Sequence, residues 1–408
     1  MSSSETAEGH RRGRLRPGYK AAAGVFAVGM MGTTLPTPLY GLYREEIGFS
    51  ELLVTVVFAA YAVGVVVALL VAGGFSDVLG RRPLLLAALG LGGLSAVCFL
   101  AEGGLPLLFA GRVLSGFSAG VLSGTGTAAV LDLAPPGRRG RAGLAATAAN
   151  MGGLGLGPLV SGILAQYAPA PLKLPFAVHL GLLAVATLTV LLLPETVPRR
   201  DPRPSLRPQG MTVPPEVRGV FGPCALAAFA GFSVLGLFTA VAPAFLDQTL
   251  GEHNLAVAGA VVFCVFCAST CGQLLMGRIG SRRALPRGCA VLVAGLLLIG
   301  ASLFLKSFPL LLIGAATGGV GQGMAFRAGL TEVSSAAPET RQGATISAFF
   351  VVAYIGISLP VVGVGAMTLA LGLRGAGLVF TGCAVLLVAA VGAWLRHNLP
   401  PEPQPEQA

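Results

Sequence analysis

Residues 106–120 read PLLFAGRVLSGFSAG, and residues 309–323 read PLLLIGAATGGVGQG. A shift of 203 residues, without a gap, lays Pro106 on Pro309, Leu107 on Leu310, Leu108 on Leu311, Gly111 on Gly314, Gly116 on Gly319 and Gly120 on Gly323. The register holds through the polar segment that follows, where Pro135, Arg138 and Gly140 meet Pro338, Arg341 and Gly343, and on to Gly153 with Gly356 and Gly162 with Gly365. Two glycine-rich apolar segments match in places by composition alone. A shared polar loop in the same register is harder to obtain that way, so the chain reads as two parallel repeats.

Each copy lies in an apolar run long enough to cross about 30 Å of hydrocarbon at about 1.5 Å per residue. Working outward, such runs fall near 21–43, 52–75, 83–101, 106–131, 142–165, 174–194, 219–246, 255–277, 286–305, 309–331, 344–370 and 375–395. Of the 408 residues 54% are hydrophobic and 11% charged, with a mean hydropathy of +0.80, whereas about a quarter of a soluble domain is charged. A backbone in lipid must satisfy its hydrogen bonds internally, so each run is read as a helix. The expected fold is an all-α membrane protein with twelve transmembrane helices.

Positive charge alternates between the gaps. One set holds Arg11, Arg12, Arg14, Arg16 and Lys20, then Arg81 and Arg82, then Arg138, Arg139 and Arg141, and continues through Arg199–Arg218, Arg278–Arg287, Arg341 and Arg396. The other holds only Arg44, Lys173, Lys306 and Arg374. The arginine-rich side is expected in the cytoplasm with both termini, which requires an even number of spans. The longest polar gap, rich in proline and arginine, divides the spans six and six. The expected organisation is a cytoplasmic tail at 1–20, a six-helix bundle at 21–194, a cytoplasmic linker at 195–217, a second bundle at 218–396 and a tail at 397–408.

The net charge of +10 does not indicate nucleic acid, because the basic residues punctuate apolar segments and form no patch beside stacking aromatics. All seven cysteines lie in apolar stretches and read as small hydrophobes. Cys264, Cys267 and Cys271 share a face of the eighth span, where a soft metal is the minor reading and ordinary packing the major one. No metal or other cofactor is expected. The first run is full length with no small-residue cleavage pattern after it, so no cleaved signal is expected. Arginine far outnumbers lysine, and with abundant alanine and glycine this suggests a GC-rich bacterium and its cell membrane.

Between the second and third spans the chain reads Gly73, Gly74, Phe75, Ser76, Asp77, Val78, Leu79, Gly80, Arg81, Arg82, Pro83. Glycines permit a tight turn, Asp77 can accept from a helix N-terminus or an arginine, and the arginine pair falls at headgroup depth. This loop resembles the signature loop of the major facilitator superfamily. Gly73, Asp77, Gly80, Arg81 and Arg82 fit the pattern, and Val78 stands where the pattern has arginine. The resemblance covers essentially the whole chain and implies the major facilitator fold, two pseudo-symmetric six-helix bundles with a site between them. It also implies that the loop latches the halves in the outward-facing state. A positive-inside loop without a gating role is the other reading. The matching gap after the eighth span, GRIGSRR, has Ser281 where an acid would stand, and LPET at Leu193–Thr196 is a supporting feature.

Arg112 lies several residues inside the fourth span, where a guanidinium has to face protein or water. It looks like the family's buried arginine linked to proton coupling, and bonding to backbone carbonyls is the alternative. In the fifth span, GGLGLGPLVSG places Gly153, Gly157, Pro158 and Gly162 for close helix approach and a bend. Within the family that spacing marks drug/proton antiporters, here with Ser161 replacing one glycine. No Asp or Glu occupies the middle of a span, so proton coupling falls to Asp132, Glu332 or His179, with Arg112 as modulator. By resemblance the first, fourth, seventh and tenth spans face the centre. Thr33, Thr34 and Thr37 around Pro36 and Pro38, with Phe238, Gln322 and Arg327, are the substrate-binding candidates. A break at those prolines would free carbonyls for binding, and an ordinary proline kink is the competing account.

These features predict a monomeric secondary active transporter, embedded in lipid and working by alternating access. Its expected cargo is a small drug-like or metabolite compound, fairly apolar or cationic, exported against proton entry. Uptake of a sugar or other metabolite by the same fold is the alternative. A membrane sensor or an enzyme would need an extra soluble domain or a catalytic set, and the loops are too short for either, so no enzyme is expected.

Overall fold

The computed structural model of the protein describes residues 18–72, 79–101, 103–197 and 211–398, and every regular element among them is helical. Gly73 and Asp77, most of the expected tails and the centre of the linker lie outside the described residues. The first repeat opens with α1 (Tyr19–Thr34), a 3₁₀ turn (Thr37–Leu39) and α2 (Tyr40–Ile47), which together form the first span. Spans two to six are α3 (Glu51–Ala72), α4 (Arg81–Leu100), α5 (Gly104–Asp132), α6 (Arg139–Tyr167) and α7 (Leu174–Leu192). The second repeat opens with α8 (Arg218–Ala240) and α9 (Ala242–Leu250), followed by α10 (Leu255–Ile279), α11 (Ser281–Leu305), α12 (Phe308–Ala336) and α13 (Gln342–Asn398). α13 is two spans joined, broken by Gly372 at φ 67° and ψ 168°.

Ten of these stretches are long and apolar enough on their own to cross a membrane. The interrupted first span and the doubled α13 bring the number to twelve. The seventh run, expected as one unbroken helix, is interrupted: Val241, at φ −117°, separates α8 from α9. Pro243 stands in the first turn of α9, where its missing N–H costs nothing. The first and seventh spans thus break alike, at Leu35–Pro36 and at Val241.

The duplication is written in the backbone. Nine described residues have positive φ, and eight of them pair between the repeats: Gly48 with Gly251, Gly80 with Gly280, Gly104 with Lys306 and Ala170 with Gly372. Each pair closes the corresponding turn of its half. A second shared device concerns prolines inside helices. Pro158 in α6 has no N–H to give the Leu154 carbonyl, and Pro360 in α13 leaves the Gly356 carbonyl in the same position. The Thr34 hydroxyl of α1 donates to the Leu154 oxygen at 2.6 Å, and the Ser233 hydroxyl of α8 donates to the Gly356 oxygen at 2.9 Å. In each half a kinked helix is tied to the first helix through the carbonyl that its proline released.

Between the halves α3 packs on α13 and α6 packs on α10, a pair of contacts related by the repeat. A Cβ on Gly162 would overlap the Leu255 carbonyl oxygen, and one on Gly259 would overlap that of Pro158, so α6 and α10 meet backbone to backbone. Gly153 and Gly157 bring α6 equally close to α1, at Ala27 and Met31. The four small or kinking residues singled out in the fifth span therefore face two partners, their own α1 and the opposite half.

Candidate functional site

A cavity of about 620 Å³ lies between the halves. It runs from Thr33, Thr34 and Arg112 at its deep end to Leu131, Gly143 and Thr331, which stand at the end of the molecule carrying Arg81, Arg139 and Arg282. A second cavity of about 320 Å³ occupies the opposite end, lined among others by Thr37, Gly41, Glu45, Glu51, Asp247 and Glu252. The partition between them falls at the two helix breaks. Thr34 and Thr239 line the central cavity, whereas Thr37 and Ala240 line the outer one.

The outer end is sealed by bonds that cross between the halves. Gln248 Nε2 donates to Glu51 Oε1 at 2.6 Å, and Arg44 ion-pairs with the same carboxylate. Asn254 donates to the Tyr167 hydroxyl at 3.1 Å, and the Leu255 N–H donates to Gln166 Oε1 at 2.9 Å. Asn254 also caps α10, its Oδ1 accepting from the N–H groups of Ala256 and Val257, so the seal rests on a fixed helix end.

Arg112 is 1% exposed at the cavity's deep end. Its two terminal nitrogens donate to the Thr33 oxygen at 2.6 Å and the Phe58 oxygen at 3.3 Å, and its guanidinium carbon lies 5.3 Å from the Phe58 ring centre and 4.8 Å from that of Tyr61. Both hydrogen bonds go to backbone carbonyls. The Thr33 oxygen belongs to the last turn of α1, where carbonyls have no partner within the helix.

Of the substrate-binding candidates, Thr33, Thr34 and Arg327 line the central cavity, with both threonine hydroxyls engaged by backbone carbonyls. Thr37 lines the outer cavity. Phe238, 1% exposed, lies in the core, and Gln322, fully buried, accepts the Ser269 hydroxyl within the second bundle; neither lines the cavity. Sequence reasoning missed the wall itself. Tyr61, Tyr354, Phe232, Phe326 and Phe350 form a continuous run of ring contacts across both halves, with successive centres 6.3, 5.7, 5.1 and 5.8 Å apart. It also missed Thr147 and Asn150, polar residues one turn apart on a helix otherwise rich in alanine and glycine, a pattern that by itself argues for a protein-facing or water-facing stripe.

The proton-coupling candidates lie elsewhere. Asp132 ends α5 and accepts from Arg81 Nε at 3.0 Å and from the Thr196 hydroxyl at 3.3 Å. Glu195 accepts the N–H groups of Arg81 and Arg82 at 2.9 and 3.1 Å, capping α4 beyond Gly80. In the second repeat Glu332 accepts the Ser281 hydroxyl and lies 3.8 Å from Arg282 Nε. His179, 2% exposed, abuts Gly32 and has no hydrogen-bond partner on either ring nitrogen. None of the three lines the central cavity, and among the described residues no carboxylate or histidine does. No group of His, Cys, Asp and Glu among them is arranged to hold a metal ion.

Two six-helix repeats around a central cavity that opens at one end, with a separate smaller cavity at the other, define a helical membrane carrier. The chain belongs to the Major Facilitator Superfamily, whose model matches residues 22–359 and again 225–408. Sequence comparison with curated proteins gives no match. Among solved structures, the human organic anion transporter MFSD10 (TETRAN) superposes with a TM-score of 0.66 at 19% identity, over 91% of this chain and 98% of that one. A bacterial homolog of the human lysosomal transporter Spinster, inward-facing and unoccupied, superposes with a TM-score of 0.74 at 14% identity, over 95% and 99%. A POT family transporter in complex with 5-aminolevulinic acid gives 0.73 at 12%, over 94% and 96%. At these identities the likeness is one of fold. Family and fold together make this a membrane transport protein.

Proposed function

We propose that this chain is a secondary active transporter that exports a small organic compound by alternating access, coupled to proton entry. The observation that carries the reading is the pair of cavities divided only at the breaks of the first and seventh spans. Such a partition can pass from one side of a bound solute to the other by rocking of the halves. With the arginine-rich end in the cytoplasm, the central cavity faces inward. Export is favoured by the spacing of Gly153, Gly157, Pro158 and Gly162, which this reading makes the hinge on which α6 moves against α1 and α10.

Gly73, Asp77, Gly80, Arg81 and Arg82 form the inner gate in this reading, and Asp132 and Glu332 are its titratable partners. Protonating either carboxylate weakens its hold on Arg81 or Arg282. His179, the third candidate, is walled in against Gly32 away from the cavity lining, so this reading leaves it out of the coupling. The test is transport by purified protein in proteoliposomes across a broad panel of drug-like and metabolite compounds under an imposed pH gradient. Accumulation driven by the gradient is expected. Asp132→Asn with Glu332→Gln should lower that accumulation about ten-fold while gradient-free exchange persists, and His179→Gln should leave it intact. Absence of gradient-driven movement for every compound would remove the antiport assignment.

A further inference from the structure

The central cavity holds positive charge without a counter-charge. Arg112 and Arg327 both line it, and among the described residues no Asp or Glu does. Arg112 gives its terminal nitrogens to the Thr33 and Phe58 carbonyls and its face to the Phe58 and Tyr61 rings, and its Nε, the one donor nitrogen without a partner, is buried. Arg327 is different. It projects from α12 and is half-buried, and its one hydrogen bond among the described residues is from Nη1 to the Thr147 hydroxyl at 3.3 Å, across the gap between the halves. No ion pair engages it among the described residues. One turn from Thr147, Asn150 also faces the cavity, and its buried Oδ1 has no partner. Since the amide oxygen and nitrogen exchange by a half-turn of the side chain, Asn150 can offer either a donor or an acceptor there.

A partly desolvated guanidinium that makes one hydrogen bond to protein suits a planar anion. Beside it begins the aromatic wall, because Phe326 is its chain neighbour and contacts Phe232 and Phe350. A flat apolar body lying on those rings brings a carboxylate at its edge to Arg327, Thr147 and Asn150. A cationic compound, one expectation from the sequence, would meet two arginines and no acid. We infer that the solute carried by this cavity is an amphipathic organic anion, an aromatic or similarly flat body with one carboxylate-like group, held by Arg327 with Thr147 and Asn150. The inference rests on the proposed transport function but concerns binding, so the two can fail separately.

The full-length protein, reconstituted in nanodiscs of phosphatidylcholine alone so that no anionic headgroup competes, is titrated calorimetrically with three probes sharing one ring system: 1-naphthoate, 1-naphthamide and 1-naphthylmethylammonium. Naphthoate should bind saturably, the amide at least ten-fold more weakly and the ammonium not measurably. Arg327→Gln should bring naphthoate down to the amide's affinity without altering the amide, Arg327→Lys should keep the preference for the anion at reduced affinity, and Phe326→Leu should weaken naphthoate and amide alike. The inference is overturned if the ammonium binds as well as naphthoate, if none of the three binds at millimolar concentration, or if Arg327→Gln leaves the preference intact. Naphthoate that binds with this pattern but does not cross proteoliposomes keeps the site and removes the transport reading.

Discussion

Arg112 and Thr34 find their acceptors because helices stop or lose a donor beside them. α1 ends at Thr34, which leaves the Thr33 carbonyl for Arg112, and Pro158 leaves the Leu154 carbonyl for the Thr34 hydroxyl. A buried acceptor stripped of its partner costs about 1–3 kcal/mol. Thr34→Val keeps the shape and removes the donor, so it should lower stability by about that amount, and Ser233→Ala should do the same at the Gly356 carbonyl. Thr34→Ser should be close to neutral. Thermal unfolding of the purified variants checks this, and equal melting temperatures for the valine and serine forms would refute it. At this scale the sequence was only partly legible. A lone arginine or a proline inside a span announces itself by its cost in lipid, as Arg112 and Pro158 do. Phe238 and Phe232 lie six residues apart on the same helix, and only the neighbours packed against α8 make one core and the other cavity wall.

At the scale of elements, α6 and α10 seal the outer end through glycine, and their contact has no slack. Gly162→Leu places a side chain where the Leu255 carbonyl stands. Overpacking of this kind costs about 1–3 kcal/mol and is paid only while the outer end is closed, which shifts the balance of states about five-fold or more toward opening there. Disulfide formation between Tyr167→Cys and Asn254→Cys, in a background without the native cysteines, should fall accordingly, and an undiminished yield would show that the glycine contact does not govern closure. The apolar runs gave the spans because hydrocarbon tolerates no other backbone. The break at Val241 is not legible in the sequence because nothing in VAPAF departs from an apolar helix except one proline, which a first turn accommodates.

At the scale of the whole molecule, a carried monoanion makes transport sensitive to membrane voltage. An inside-negative potential of 100 mV is worth about 2.3 kcal/mol per charge, or about 50-fold in the gradient it sustains. Exchange of one anion outward for one proton inward moves two charges and should square that factor. Naphthoate gradients measured in proteoliposomes at set potassium–valinomycin potentials should distinguish these slopes, and a voltage-independent gradient would exclude both. The arrangement of two repeats was legible in a register of 203 residues, whereas the direction in which the cavity opens depends on contacts between distant helices that no local pattern records.

The partition at the two broken spans has an electrical consequence. The central cavity reaches Thr34 and the outer cavity reaches Thr37, so the two come within about a helical turn of each other. The membrane field is then concentrated across that thin insulating layer and not spread over the bilayer's full width. A charged solute experiences nearly the whole voltage drop during the single local rearrangement that carries it past Leu35 and Val241, which makes that step the one an electrode should time.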